Sequence, residues 1–79
     1  MKNSLRNSYE VRYMSNVYGN LTGDYYDTYQ EAHKRYVELL RMNRDDIRKE
    51  IGLNEDIELN YISLRDNKEN HICKEFSVA

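Results

Sequence analysis

The chain is read as an α+β domain with element order ββαββ, one antiparallel sheet packed by one long amphipathic helix. Three observations carry that expectation. Tyr9 to Met14 and Asp56 to Arg65 alternate apolar and polar residues, as half-buried strands do. Between them, Tyr29, Ala32, Tyr36, Leu40, Ile47 and Ile51 keep one helical phase until Gly52. At 79 residues there is room for one domain, 1–79, which buries only roughly 60–65% of the surface its unfolded chain exposes.

Residues 1–7 are polar and read as a loose lead-in. In the first strand Tyr9, Val11 and Tyr13 share one face, and Glu10, Arg12 and Met14 the other. Tyr18-Gly19-Asn20 is a turn signal in which Gly19 or Asn20 takes positive φ. Leu21 to Asp27 returns antiparallel, with Gly23 marking a bulge or an edge. Thr28 and Glu31 have capping-box spacing: the hydroxyl accepts from the Glu31 backbone and the carboxylate reaches back to that of Thr28. The apolar phase favours one helix over 29–51, with Tyr36 and Leu40 at the centre of the arc. Asn43-Arg44-Asp45-Asp46 offers the alternative of a cap that starts a second, shorter helix.

In the third strand Ile57, Leu59 and Tyr61 share one face while Ile62 and Leu64 share the other. Asp66-Asn67-Lys68 is a hairpin turn by composition, and His71 to Val78 closes the sheet with Ile72, Phe76 and Val78 on the core face.

Composition limits function more than it assigns it. Twelve basic and fourteen acidic residues leave a net charge of -2, which disfavours both a general polyanion binder and an acidic nucleic-acid mimic. Hydrophobic residues make up 39% of the chain, but eight of them are tyrosines, whose hydroxyls need water or a partner. With a mean hydropathy of -0.99 the core is thin, and a homodimer or a partner complex is expected. An exposed edge at Phe76-Ser77-Val78-Ala79 is a candidate for such pairing. No stretch approaches the ~18 apolar residues of a spanning helix, and the lone Cys73 forms no internal disulfide, so a soluble, cytoplasmic protein in a reducing compartment is expected. Nine asparagines and eight tyrosines without proline or tryptophan suggest the AT-rich codon usage of a bacterial, phage or plasmid genome.

Catalytic and cofactor chemistry finds little purchase in this residue set. Cys73 lies two residues from His71, but a structural zinc takes four Cys or His ligands, and one Cys and two His are present. A semi-buried thiol and a surface imidazole are the plainer reading, and His33 is a boundary residue of the helix. Gly19, Gly23 and Gly52 each have a turn, edge or cap role and form no phosphate loop. The chain is therefore expected to be non-enzymatic, with no catalytic, metal or cofactor residues and no cofactor.

Two surfaces are candidates for partner binding. Lys34, Arg41, Arg44 and Arg48 fall in one ~80° sector of the continuous helix, with acidic residues on the adjoining side. Such a stripe suits phosphates or an acidic protein patch. The competing reading is a solvated face laced by pairs such as Glu31–Arg35 and Asp45–Lys49. Tyr18, Tyr25 and Tyr26 form the second surface, since at least one of the adjacent pair points away from the core. Exposed tyrosines give large contact area at low entropy cost.

Tyr9-Glu10-Val11-Arg12-Tyr13, a glycine turn, a second strand and Thr28-x-x-Glu31-Ala32 at a helix start resemble the arm-site DNA-binding domain of tyrosine recombinases. The same half of the chain is similar to small phage or mobile-element accessory proteins, including anti-CRISPR-type inhibitors. The second resemblance implies a phage or mobile-element protein, acting in the host cytoplasm, that inhibits a host defence protein or a protein–nucleic acid complex by direct contact. The first implies a small nucleic-acid-binding regulator, here using the basic helix stripe.

Overall fold

The computed structural model describes residues 8–78. The expected loose lead-in, 1–7, and the terminal Ala79 lie outside the described residues. The elements run β1 (Tyr9–Ser15), β2 (Gly19–Tyr26), α1 (Tyr29–Leu40), α2 (Arg44–Glu50), β3 (Tyr61–Asp66) and β4 (His71–Ser77). The strands form one antiparallel sheet in the order β2-β1-β3-β4, so β1 and β3 are central and β2 and β4 are edges. Alternation along β1 sends Val11 and Tyr13 under the helices, opposite Leu64 and Ile62 of β3. Helix α1 lies over β1, β3 and β2, and Ala32, Tyr36, Leu39 and Ile47 close the core from above with Leu59 beside them.

The expected single helix is two. Asn43 leaves helical geometry at φ -80°, ψ 168°, and its Oδ1 accepts from the Asp46 backbone N–H at 2.8 Å, a side-chain cap that starts α2. Asp45 and Asp46 then sit in the first turn and Arg48 and Lys49 in the last, where each complements the helix dipole. The apolar phase persists across the break because Ile47 is brought to the core by the turn at 41–43. Before the break the inward positions are 32, 36 and 39, one helical stripe, so Leu39 is fully buried while Leu40, placed at the centre of the expected arc, is 48% exposed. At Thr28 the cap forms, with Oγ1 accepting from Glu31 N–H at 3.3 Å. The Glu31 carboxylate accepts from the Thr28 hydroxyl at 3.0 Å, where the sequence suggested the Thr28 backbone.

Helix α2 ends as the glycine foretold. Gly52 takes φ +69°, Leu53 N–H reaches Arg48 O at 2.9 Å and Gly52 N–H reaches Lys49 O at 3.2 Å, a Schellman closure. Residues 56–59, expected as strand, stay outside the ladder; Asn60 joins it through backbone bonds to Met14 and Val78, and β3 itself starts at Tyr61. In β3 itself Ile62 and Leu64 face the helices and Tyr61 the opposite side.

Strand β4 carries a second correction. Its pairing with β3 shifts between Leu64 and Arg65, leaving Cys73 as the extra residue of a bulge. Phe76 keeps the core face and meets Tyr36 edge-on at 5.4 Å, whereas Ile72 falls opposite Arg65 on the other face and is 46% exposed. A second bulge, at Leu21 in β2, separates the pairs Tyr13↔Thr22 and Met14↔Asn20.

Candidate interaction surfaces

The β1–β2 turn is the most exposed apolar point among the described residues. Val17 and Tyr18 are 64% and 57% exposed. They are nonetheless held. Ser15, buried at the end of β1, accepts through Oγ from the backbone N–H of Val17 and of Tyr18 at 3.1 and 3.2 Å. Asn16 N–H donates to Asn60 Oδ1 at 2.7 Å, and Gly19 closes the turn at φ +76°. Asn60 also donates through its backbone to Met14 O at 2.9 Å and accepts from Val78 N–H at 2.8 Å. One side chain and its backbone thus tie the tip to the start of β3 and the end of the chain.

Strand alternation separates the adjacent tyrosines. Tyr25, opposite Glu10, projects from the helix-free face and is 55% exposed. Tyr26, opposite Tyr9, turns inward and packs against the core, so it is withdrawn from the tyrosine surface that the sequence offered. Tyr18 lies at the far end of β2 from Tyr25, at the opposite end of the hairpin.

Beside Tyr25 the helix-free face holds a buried carboxylate. Glu10 is almost fully enclosed, accepting from Arg12 Nη2 at 2.9 Å and from Asn67 Nδ2 at 3.0 Å. Burial pushes its carboxyl up, but the bonds from Arg12 and Asn67 and the charges of Arg12 and Arg65 outweigh burial and leave it below the ordinary range. Gly23 serves this carboxylate, because a Cβ there would stand 2.3 Å from Glu10 Oε2. Asn67 also accepts from Arg65 Nε at 2.9 Å, so the cluster links β1, β2, β3 and the β3–β4 turn.

On the opposite face Tyr13 passes its hydroxyl out of the core to Asp24 Oδ2 at 2.8 Å. Burial, and then the bond to Asp24, push its phenol far up, so it is a permanent donor. Arg35 approaches the same carboxylate at 3.9 Å and pairs with Glu38 at 3.3 Å and Glu50 at 3.1 Å, joining α1 to α2 and to β2. Arg35 therefore pairs with these carboxylates in place of the anticipated Glu31.

The four basic residues are divided by the break in the helix. Lys34 and Arg41 flank an open groove on α1 with His33, Val37, Glu38 and Met42. Arg44 and Arg48 line a different cavity, between α2 and the 55–60 segment, whose other walls include Glu55, Asp56 and Glu58. Arg48 donates to the carbonyl of Asn54, which gives it a structural partner. The single continuous sector expected for Lys34, Arg41, Arg44 and Arg48 required one helix and is replaced by two pairs, one on α1 and its C-cap and one on α2. Ion pairs among the described residues are made by Arg12 and Arg35.

Val17, Glu10, Asn67 and Asn60 were not singled out from sequence. Val17 beside Tyr18 in a turn was a visible signal, since an apolar pair in a turn has no strand face to bury it. The Glu10–Asn67 bond spans 57 positions and has no local signature. Among the described residues no group of three or more His, Cys, Asp and Glu is placed to hold a metal ion, and no helix is long and apolar enough to cross a membrane. Comparisons of the chain with protein-family models, with curated proteins and with solved structures found no match.

Proposed function

We propose that this chain is a non-enzymatic binding protein that inhibits a partner protein by direct contact, with the β1–β2 tip as its anchor. One observation carries this reading. Val17 and Tyr18 are more than half exposed on a turn fixed by Ser15 and Asn60, so two large side chains are presented with little ordering left to do on binding. Tyr25 supplies a further aromatic contact from the helix-free face. The AT-rich residue palette and small size point to a phage or mobile-element origin, and hence to a bacterial host protein of a defence system as the target. The test is capture from a bacterial host lysate by the wild-type chain and by a Val17→Ser/Tyr18→Ser variant with unchanged circular dichroism. A stoichiometric partner retained by the first and lost by the second is expected. Identical recovery by both proteins would overturn the reading.

A second reading, a small nucleic-acid-binding regulator, is favoured by Lys34, Arg41 and Arg44, which are exposed and take no part in the ion pairs found. Phosphate binding must weaken with salt in proportion to the phosphates neutralised. A mobility shift at low salt that is lost when these three residues become Gln would support it. Absence of any shift with duplex or single-stranded DNA and RNA would remove it.

A further inference from the structure

We propose that the groove along α1 between Lys34 and Arg41 docks an acidic amphipathic helix of a partner protein, whose apolar stripe rests on Val37 and whose carboxylates meet the two cations. The groove is lined by His33, Lys34, Val37, Glu38, Arg41 and Met42. Arg41, the C-cap of α1, keeps right-handed helical geometry, so Lys34 and Arg41 stand two helical turns apart in one row with Val37 between them. Both cations are exposed and take no part in the ion pairs found among the described residues. The carboxylate placed by sequence to neutralise them is Glu38, at i+4 from Lys34 and i-3 from Arg41. Arg35 claims it instead, at 3.3 Å, while also holding Glu50 of α2 at 3.1 Å. Val37 is half-buried and lies outside the core cluster that Tyr36 and Leu39 join beneath the helix. An apolar side chain framed by two cations is thus presented on the outer side of α1.

Charge and spacing choose the occupant. The two cations call for a pair of anionic groups ~10.5 Å apart along the groove. A helix laid along α1 presents side chains at i and i+7 at that separation on one face, with i+3 and i+4 between them, where an apolar residue covers Val37. An extended strand presents same-face side chains ~6.6 or ~13 Å apart and misses that spacing. A phosphate backbone supplies charge but has no apolar group to set against Val37 and Met42. Arg44, which would extend a cationic track, lines the other cavity beside Glu55, Asp56 and Glu58. The turn that ends α1 adds Met42 to the lining while the same residue packs against the core. The groove is a second contact surface, independent of the anchor at Val17 and Tyr18 on the β1–β2 turn.

The probe is a fluorescently labelled helical peptide with Glu at i and i+7 and Leu at i+3 and i+4, titrated with the full chain at low salt while anisotropy is followed. Saturable binding is expected, with amide NMR shift changes centred on residues 33–42 and with affinity that falls as salt is raised. Lys34→Glu/Arg41→Glu, at two exposed positions, should weaken the peptide at least about tenfold. Val37→Ser should weaken it with circular dichroism unchanged. Val17→Ser/Tyr18→Ser should bind it as the wild type does, so failure of this groove and failure of the tip are read separately. A peptide with Lys in place of both Glu should not bind. No saturable binding of the acidic peptide, equal binding of the Lys peptide, indifference to the charge reversal or to Val37→Ser, or shift changes centred elsewhere would each overturn the proposal. A single-stranded oligonucleotide that displaces the peptide and shifts the same amides more strongly would overturn it as well, by assigning the groove to phosphates.

Discussion

Leu39 and Leu40 are neighbours of identical composition with opposite fates, which makes them the sharpest residue-scale test of the helix phase. Leu39 is fully buried, so Leu39→Ala removes packed atoms and leaves a cavity, and should lower unfolding free energy by about 2–5 kcal/mol. Leu40→Ala, half exposed, should change it by no more than about 0.5 kcal/mol in urea titrations. Equal effects would mean that α1 is rotated from the orientation described. Gly23 and Glu10 form a second residue-scale test. Gly23→Ala must displace a carboxylate held by Arg12 and Asn67, and should cost about 1–3 kcal/mol. In a Glu10→Ala background the same substitution should cost much less, a coupling that a double-mutant cycle reads directly. Because the Glu10 carboxyl sits below its ordinary range in the fold, its contribution is present above the unfolded pKa and lost as pH falls through the folded one. The stability difference between wild type and Glu10→Gln should therefore shrink between about pH 7 and about pH 3. A difference that grows toward acid would contradict the role assigned to Arg12 and Asn67.

At the scale of elements, much was legible because the signals were local. The alternation in β1, the Thr28 cap, the Gly52 stop and the β3–β4 turn each depend on residues within a few positions of one another, and each lies where the sequence suggested, the Glu31 carboxylate alone taking the Thr28 hydroxyl in place of its backbone. The helix break was written in the sequence too, as Asn43 with acidic residues behind it, but a continuous apolar phase pointed the other way. Cap chemistry prevailed over phase because a satisfied Asn43 side chain stabilises a new start. Ile47 needs only to reach the core, from whichever helix. The bulge at Cys73 was not legible, since it arises from the register against β3 rather than from β4 alone. It is the reason that Ile72 changed faces. Both candidate surfaces changed too, each for a more local reason. Tyr26 was withdrawn by strand parity and the basic stripe was divided by the break. Asn43→Ala should cost about 1 kcal/mol and loosen α2 in particular, seen as faster amide exchange at Asp46 and Ile47 with α1 unaffected. Uniform loss of protection across both helices would show instead that they behave as one element.

For the whole molecule, the described core is a single layer of nine apolar side chains between the sheet and two short helices. Polar clusters take over where that layer ends. Glu10, Arg12, Asn67 and Arg65 knit the helix-free face, and Arg35 fastens α1 to Glu50 of α2 and to Asp24 of β2. The Val17–Tyr18 tip is tied to this frame through Ser15 and Asn60, and its use as a protein-binding anchor is the central proposal. Site-specific photocrosslinking measures that contact where it is claimed. With a photoreactive phenylalanine analogue at position 18 in a bacterial host, one discrete protein adduct should form, and the same probe at the exposed turn position Glu69 should give none. Matching adduct patterns from positions 18 and 69, or no adduct from position 18, would contradict the account.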